Sequence, residues 1–150
     1  MIRRKTKIIK IGNLKIGGDF PVAVQSMTNT PTADVEKTVN QIKELEKAGC
    51  EIIRVGVPDF KAAKALGQIK KKIKIPLVAD IHFSAELAME AINQGVDKIR
   101  INPGNFPKSA LEKMVQLAKR KKIPIRVGIN SGSIEKDILG FTEELIKRKM

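Results

Sequence analysis

The chain has 150 residues, of which 42% are apolar and 30% charged, the makeup of one soluble globular domain with a single core. Twenty-nine Lys and Arg against 16 Asp and Glu give a net charge of +13, but the lysines are spread along the chain and there is no Trp or Tyr, so stacking platforms for nucleic acid are missing and a solvated basic surface is expected. No apolar run nears the roughly 20 residues of a membrane helix and no signal core follows the basic start, so a cytoplasmic protein with no membrane or targeting segment is expected.

In chain order, residues 5–18 read as a β-hairpin. Ile8, Ile9 and Ile11 lead into Gly12-Asn13, and Leu14 and Ile16 lead out to Gly17-Gly18. From residue 22 to the C-terminus the pattern becomes strand, helix, strand, helix. The spacing predicts strands at 22–27, 52–57, 77–81, 98–102 and 124–129, short and apolar with little alternation, as in parallel sheets covered on both faces. Thr32 is the expected cap of the first helix, with Asp34 and Glu36 in its opening turn; Val35, Val39, Ile42 and Leu45 form its inner face. Gly49 ends that helix, and Cys50, the single cysteine, reads as a small buried side chain. One thiol excludes an internal disulfide and any iron–sulfur or metal site built from this chain's own cysteines.

Asp59 is the expected cap of the second helix, burying Ala62, Ala63, Leu66 and Ile69; the Lys70-Lys71-Lys72 run fits its end. Ser84 caps the third, with Leu87, Ala88, Ala91 and Ile92 inward and Gly95 closing it. The fourth starts near Pro107 and places Leu111, Met114, Val115 and Ala118 inward; a fifth begins after Ser133. Five β/α units in succession suggest an α/β fold, either a barrel or a doubly wound sheet. A closed TIM (β/α)8 barrel needs eight strands and about 250 residues, so the expectation is an incomplete one.

Polar residues interrupt the apolar strands near their C-terminal ends, where parallel barrels build their sites. The first strand carries Gln25 and Ser26 and leads into Thr28, Asn29 and Thr30. The second carries Arg54, the third Asp80 and His82, the fourth Arg100 and Asn102, and the fifth Arg126 followed by Asn130. Asp80 and His82 are two apart, as are Arg100 and Asn102, and Arg126 and Asn130 are four apart, so each pair shares one side of its strand. Burying three guanidinium groups near one mouth is costly unless a polyanion relieves them, and Arg matches phosphate oxygens with a bidentate fork. The competing reading pairs each Arg with a carboxylate, but the strands supply only Asp80. His82, the single histidine, is placed to donate a hydrogen bond or move a proton.

The stretches Val24–Thr30, Val78–Phe83, Arg100–Asn105 and Pro124–Ser133 resemble 4-hydroxy-3-methylbut-2-enyl diphosphate synthase, in order, with likeness from about residue 3 to 137. The resemblance implies a TIM-barrel domain joined to a domain with a [4Fe–4S] cluster on three cysteines and a glutamate. It implies reductive opening of 2-C-methyl-D-erythritol 2,4-cyclodiphosphate by two electrons with loss of water, in non-mevalonate isoprenoid biosynthesis. Flavodoxin or ferredoxin would supply the electrons, and in a homodimer each cluster domain would cover the other subunit's barrel. By the same resemblance Arg54, Arg100 and Arg126 fall on phosphate-binding positions, and Asp80, His82, Asn102 and Asn130 on other polar barrel positions; Asn102 and Asn130 are the expected further substrate contacts, and Asp80 and His82 the candidate catalytic residues. The last three barrel strands and the cluster domain are missing, so the expectation is a fragment carrying part of the substrate site, with no cluster ligand and no activity alone. A different phosphate- or pteridine-binding barrel transferase is the alternative.

Overall fold

The computed structural model describes residues 4–82 and 84–129. A hairpin, β1 (Ile9–Ile11) and β2 (Leu14–Ile16), turns on Gly12-Asn13, with Ile9 opposite Ile16 and Ile11 opposite Leu14. Gly12 has φ +58, and a Cβ there would stand 2.7 Å from Asp97 Oδ1, so both its backbone and its close approach to the barrel require glycine. The remaining strands are β3 (Gln25–Met27), β4 (Ile52–Gly56), β5 (Leu77–Ile81), β6 (Lys98–Ile101) and β7 (Ile125–Val127). They form one parallel sheet in the order β3-β4-β5-β6-β7. Each strand lies beside its successor, which is barrel order; a doubly wound sheet reverses direction at a switch point.

Helices α1 (Val35–Lys47), α2 (Phe60–Lys72), α3 (Ala85–Asn93) and α4 (Lys108–Lys121) connect the strands. They pack on one face of the sheet, where Ile53, Val55, Leu77, Ala79, Ile81, Ile99 and Ile101 meet Ile42, Leu66, Ile69, Ala88, Ile92 and Met114. Cys50 is buried in this layer and its thiol donates to the Ile52 carbonyl at 3.0 Å. On the opposite, inner face, Ile11 of the hairpin packs with Ile52 and Val78, flanked by Leu14, Ile16 and Ala23. The hairpin therefore closes the end of the sheet where the strands begin, and the inner face stays open at the C-terminal ends.

Several local expectations are met. Asp59 caps α2 by accepting from the Ala62 N–H at 2.8 Å, and Ser84 caps α3 by accepting from Leu87 at 3.2 Å. Lys70, Lys71 and Lys72 occupy the last turn of α2 and complement its dipole. Three expectations are corrected. The cap of α1 is Asp34, which accepts from Lys37 N–H; the Thr32 hydroxyl instead donates to the Gly56 carbonyl at 2.6 Å, tying the β3–α1 loop to β4. Val115 is exposed, because α4 turns only Met114 and Ala118 fully inward. Strand β3 starts at Gln25 rather than residue 22, and Val22 and Val24 are exposed. The expected fifth helix lies outside the described residues.

Candidate functional site

Strand register assembles the site. Gly56 stands beside Asp80, Asp80 beside Arg100, and Arg100 beside Arg126, so four strands present one row on the inner face. One step towards the strand starts, Arg54 stands beside Val78 and Val78 beside Lys98. One step towards the mouth come His82 and Asn102.

Asp80 is the hub. Its side chain is 5% exposed, and its two oxygens receive Arg100 Nη1 at 3.1 Å, Arg54 Nε at 3.6 Å and His82 Nε2 at 3.6 Å. One carboxylate thus serves two guanidinium groups and an imidazole. Among the described residues, no ion pair holds Arg126, whose side of β7 is exposed. The inner face therefore keeps an excess of positive charge, the condition under which an anion is attracted rather than excluded.

Backbone shape sets the arginines' positions. A Cβ on Gly128 would stand 2.6 Å from Arg100 Nε, 2.8 Å from Nη2 and 3.1 Å from Cζ, so the Arg100 guanidinium turns its Nε/Nη2 edge to the backbone just after β7, while Nη1 donates to Asp80. Arg54 Nε also lies 3.2 Å from the Met27 sulfur. Asn102 is buried, and its Oδ1 accepts from Gly104 N–H at 3.3 Å, capping a single 3-10 turn at Pro103–Asn105. Asn105 Nδ2 then donates to the His82 carbonyl at 2.9 Å, fixing the end of β5 to the β6–α4 turn. The His82 side chain is half exposed at the mouth.

The β3–α1 loop is held from behind. Gln41 Oε1 accepts from the N–H groups of Asn29 and Thr30 at 3.0 and 3.3 Å. Among the described residues the buried Thr28 hydroxyl has no hydrogen-bond partner. This loop, Gly56–Pro58, His82 and Leu87 line a cavity of about 480 Å³ beside the arginine row.

Of the expected site residues, the structure brings together Arg54, Asp80, His82, Arg100, Asn102 and Arg126; Asn130 lies outside the described residues. Two participants were missed in the sequence reading. Gly128 shapes Arg100 through a contact between strands. Lys98 looks like a strand-edge lysine, yet it is 7% exposed and sits on the inner face. Burial pushes its pKa below the ordinary lysine value, and Arg126 and Arg54 push it further the same way. Two positions before Arg100, on the same side of the strand, it was findable from period alone.

Among the described residues, no three His, Cys, Asp or Glu side chains come together to hold a metal ion. Cys50 lies in the helix layer, engaged with a carbonyl. These residues do not fit the thiolate-rich ligand set of an iron–sulfur cluster. Among the described residues, no helix is long and apolar enough to cross a membrane.

Residues 6–150 match the GcpE TIM-barrel domain. The chain is 59% identical to the 4-hydroxy-3-methylbut-2-en-1-yl diphosphate synthase (flavodoxin) of Caldanaerobacter subterraneus subsp. tengcongensis, over 97% of this chain and 42% of that protein. It is 64% identical to the protein of the same name from Caldicellulosiruptor saccharolyticus, over 89% of this chain and 39% of that one. It thus spans about two fifths of the length of the curated relatives it matches. Among solved structures, dihydropteroate synthase from Yersinia pestis superposes with a TM-score of 0.64 at 17% identity, covering 94% of this chain and 56% of that one. The Xanthomonas albilineans enzyme in complex with 7,8-dihydropteroate gives 0.63 at 16% identity, over 95% and 58%. At such low identity these two establish the barrel fold alone.

Proposed function

The chain belongs to the GcpE TIM-barrel domain family, and from that premise we propose that it is the first part of the barrel of a 4-hydroxy-3-methylbut-2-enyl diphosphate synthase and supplies the diphosphate-binding half of its substrate site. The observation that carries this reading is the shared carboxylate. Asp80 is engaged by both Arg54 and Arg100, Arg126 stands next in register, and the surplus positive charge faces the open end of the barrel.

In this reading the diphosphate of 2-C-methyl-D-erythritol 2,4-cyclodiphosphate takes the place that water and repulsion leave between the guanidinium groups. Arg100, held between Gly128 and Asp80, offers its remaining N–H groups to the phosphoryl oxygens from a fixed position. Arg54 from β4 and Arg126 from β7 complete the clamp, with Asn102 and Asn130 as further contacts. Asp80 holds the fork and limits the repulsion. His82, at the rim and 3.6 Å from Asp80, is placed to donate a hydrogen bond or a proton to a substrate oxygen.

The reductive step belongs to a [4Fe–4S] cluster that this chain's residues do not fit. Flavodoxin, which the relatives' names carry, or ferredoxin would be the electron donor, and the cluster domain of a second subunit would cover the mouth. The cytoplasm is the compartment of such a reaction. The purified chain is accordingly expected to bind the cyclodiphosphate without turning it over.

Calorimetric titration tests this. The cyclodiphosphate should bind saturably, Arg100→Gln should weaken it by tenfold or more, and a reduced pterin should not bind. A single charge-assisted hydrogen bond is worth about 1.5–3 kcal/mol, which sets that scale. Pterin binding with no response to the cyclodiphosphate would reverse the assignment, and reductive turnover by the chain without any added protein would overturn the division of labour.

A further inference from the structure

We propose that Lys98 is a second, deeper tier of the anion site and that it makes the site select a diphosphate over a single phosphate; this rests on the anion-binding reading above. Lys98 lies on the inner face two residues before Arg100, which puts the two Cα atoms roughly 6.6 Å apart along the strand. Lys98 and Arg126 line one cleft of about 720 Å³, whose walls include Gln25 and Ile52 and whose floor is formed by Ile9 and Ile16 of the hairpin. The cleft therefore joins Arg126, which stands beside Arg100, to Lys98 one row towards the strand starts.

A lysine kept merely for structure in such apolar surroundings would hold a carboxylate. The nearby acids are committed elsewhere. Asp97, its neighbour in the chain, accepts from the Leu77 N–H at 2.7 Å and pairs with Lys70. Glu51 Oε2 accepts from the Val24 N–H at 2.8 Å. Asp80 holds Arg54 and Arg100 one row higher. Among the described residues the inner face thus sets four cations, Arg54, Lys98, Arg100 and Arg126, against one carboxylate, and Lys98, in the lower row with Arg54, is the most desolvated.

A single phosphate gripped by Arg100 and Arg126 leaves Lys98 a row away. A diphosphate extends along the cleft, so its second phosphoryl group can accept from the ammonium while the first stays in the guanidinium fork. Lysine suits the deep position because its charge is compact and its stem flexible, whereas the upper row needs the planar fork.

The test is titration of the 150-residue chain with inorganic diphosphate and with orthophosphate. The wild type should prefer diphosphate. Lys98→Met, which keeps the volume, should weaken diphosphate roughly tenfold and leave orthophosphate within about twofold, as expected for one lost charge-assisted hydrogen bond. Unchanged diphosphate affinity, or equal weakening for both anions, overturns the role of Lys98. If Arg100→Gln weakens both anions in the same experiment, the anion site itself still stands; a wild type that binds neither anion overturns both. Should Lys98→Met fail to fold, lysine side-chain nitrogen NMR of the wild type decides. The Lys98 resonance should move with diphosphate and not with orthophosphate; no response to diphosphate, or the same response to both, contradicts the proposal.

Discussion

Replacing Asp80 by Asn removes the single acid among Arg54, Arg100 and His82 while keeping the side chain's shape. At an effective dielectric of about 20, unit charges at the 3.1 and 3.6 Å separations seen here attract by about 5 kcal/mol each before desolvation is set against it. What a measurement sees is smaller. Removing one partner of a buried pair costs about 3–5 kcal/mol, and an amide that still accepts one hydrogen bond belongs at the lower end. A loss of about 3 kcal/mol corresponds to a fall in Tm of roughly 6–12 °C in a domain of this size. Asp80→Asn should therefore melt well below the wild type in anion-free buffer. Inorganic diphosphate should then restore the variant by more than it stabilises the wild type, because the charge opposing the ligand is gone and the repulsion it relieves is larger. Thermal melts of both proteins with and without saturating diphosphate read both effects. A variant as stable as the wild type, or one that gains no more from the anion, would refute the view that Asp80 restrains a cationic cluster.

Three further outcomes follow from the same geometry. Gly128→Ala places a methyl group within 3 Å of the Arg100 guanidinium, so it should weaken diphosphate binding by tenfold or more in calorimetry while circular dichroism stays that of the wild type. The Lys98 pKa is lowered from its ordinary 10.5 in the folded chain, so its destabilising contribution is complete below the folded pKa and fades as pH rises to 10.5. Lys98→Met should accordingly raise Tm at neutral pH in anion-free buffer, with the gain shrinking towards pH 10.5; a gain that is constant or grows with pH contradicts this. Asp59→Ala removes the α2 cap and should cost about 1 kcal/mol by denaturant unfolding, with diphosphate affinity unchanged because the cap lies outside the inner face.

The parts of this fold that could be read from sequence are those fixed by local chemistry. Gly12-Asn13 between Ile8–Ile11 and Leu14–Ile16 could be little else than a two-residue hairpin turn, and Asp59 and Ser84 each stand one residue before an apolar-periodic segment. The strand-borne Arg54, Asp80, Arg100 and Arg126 stood out because guanidinium groups are rare in apolar strands. What stayed hidden depends on neighbours distant in the chain. Thr32 and Asp34 are both competent caps, and only the Gly56 carbonyl beside Thr32 decides between them. Val115 continues the apolar stripe of α4, but the direction of the helix relative to α3 leaves it outside. Lys98 opens its strand, where a lysine normally reaches solvent; the hairpin packed below it is what buries it. Gly128 reads as an ordinary small residue until Arg100 from the adjacent strand is laid over it.

The most direct measurement is an arginine side-chain nitrogen NMR titration of the chain with inorganic diphosphate. The Nε–H signals of Arg54, Arg100 and Arg126 should move together and saturate at one equivalent, while Arg120, at the far end of α4, stays in place. If those three do not move, or move no more than Arg120, the guanidinium groups on the inner face are not an anion site.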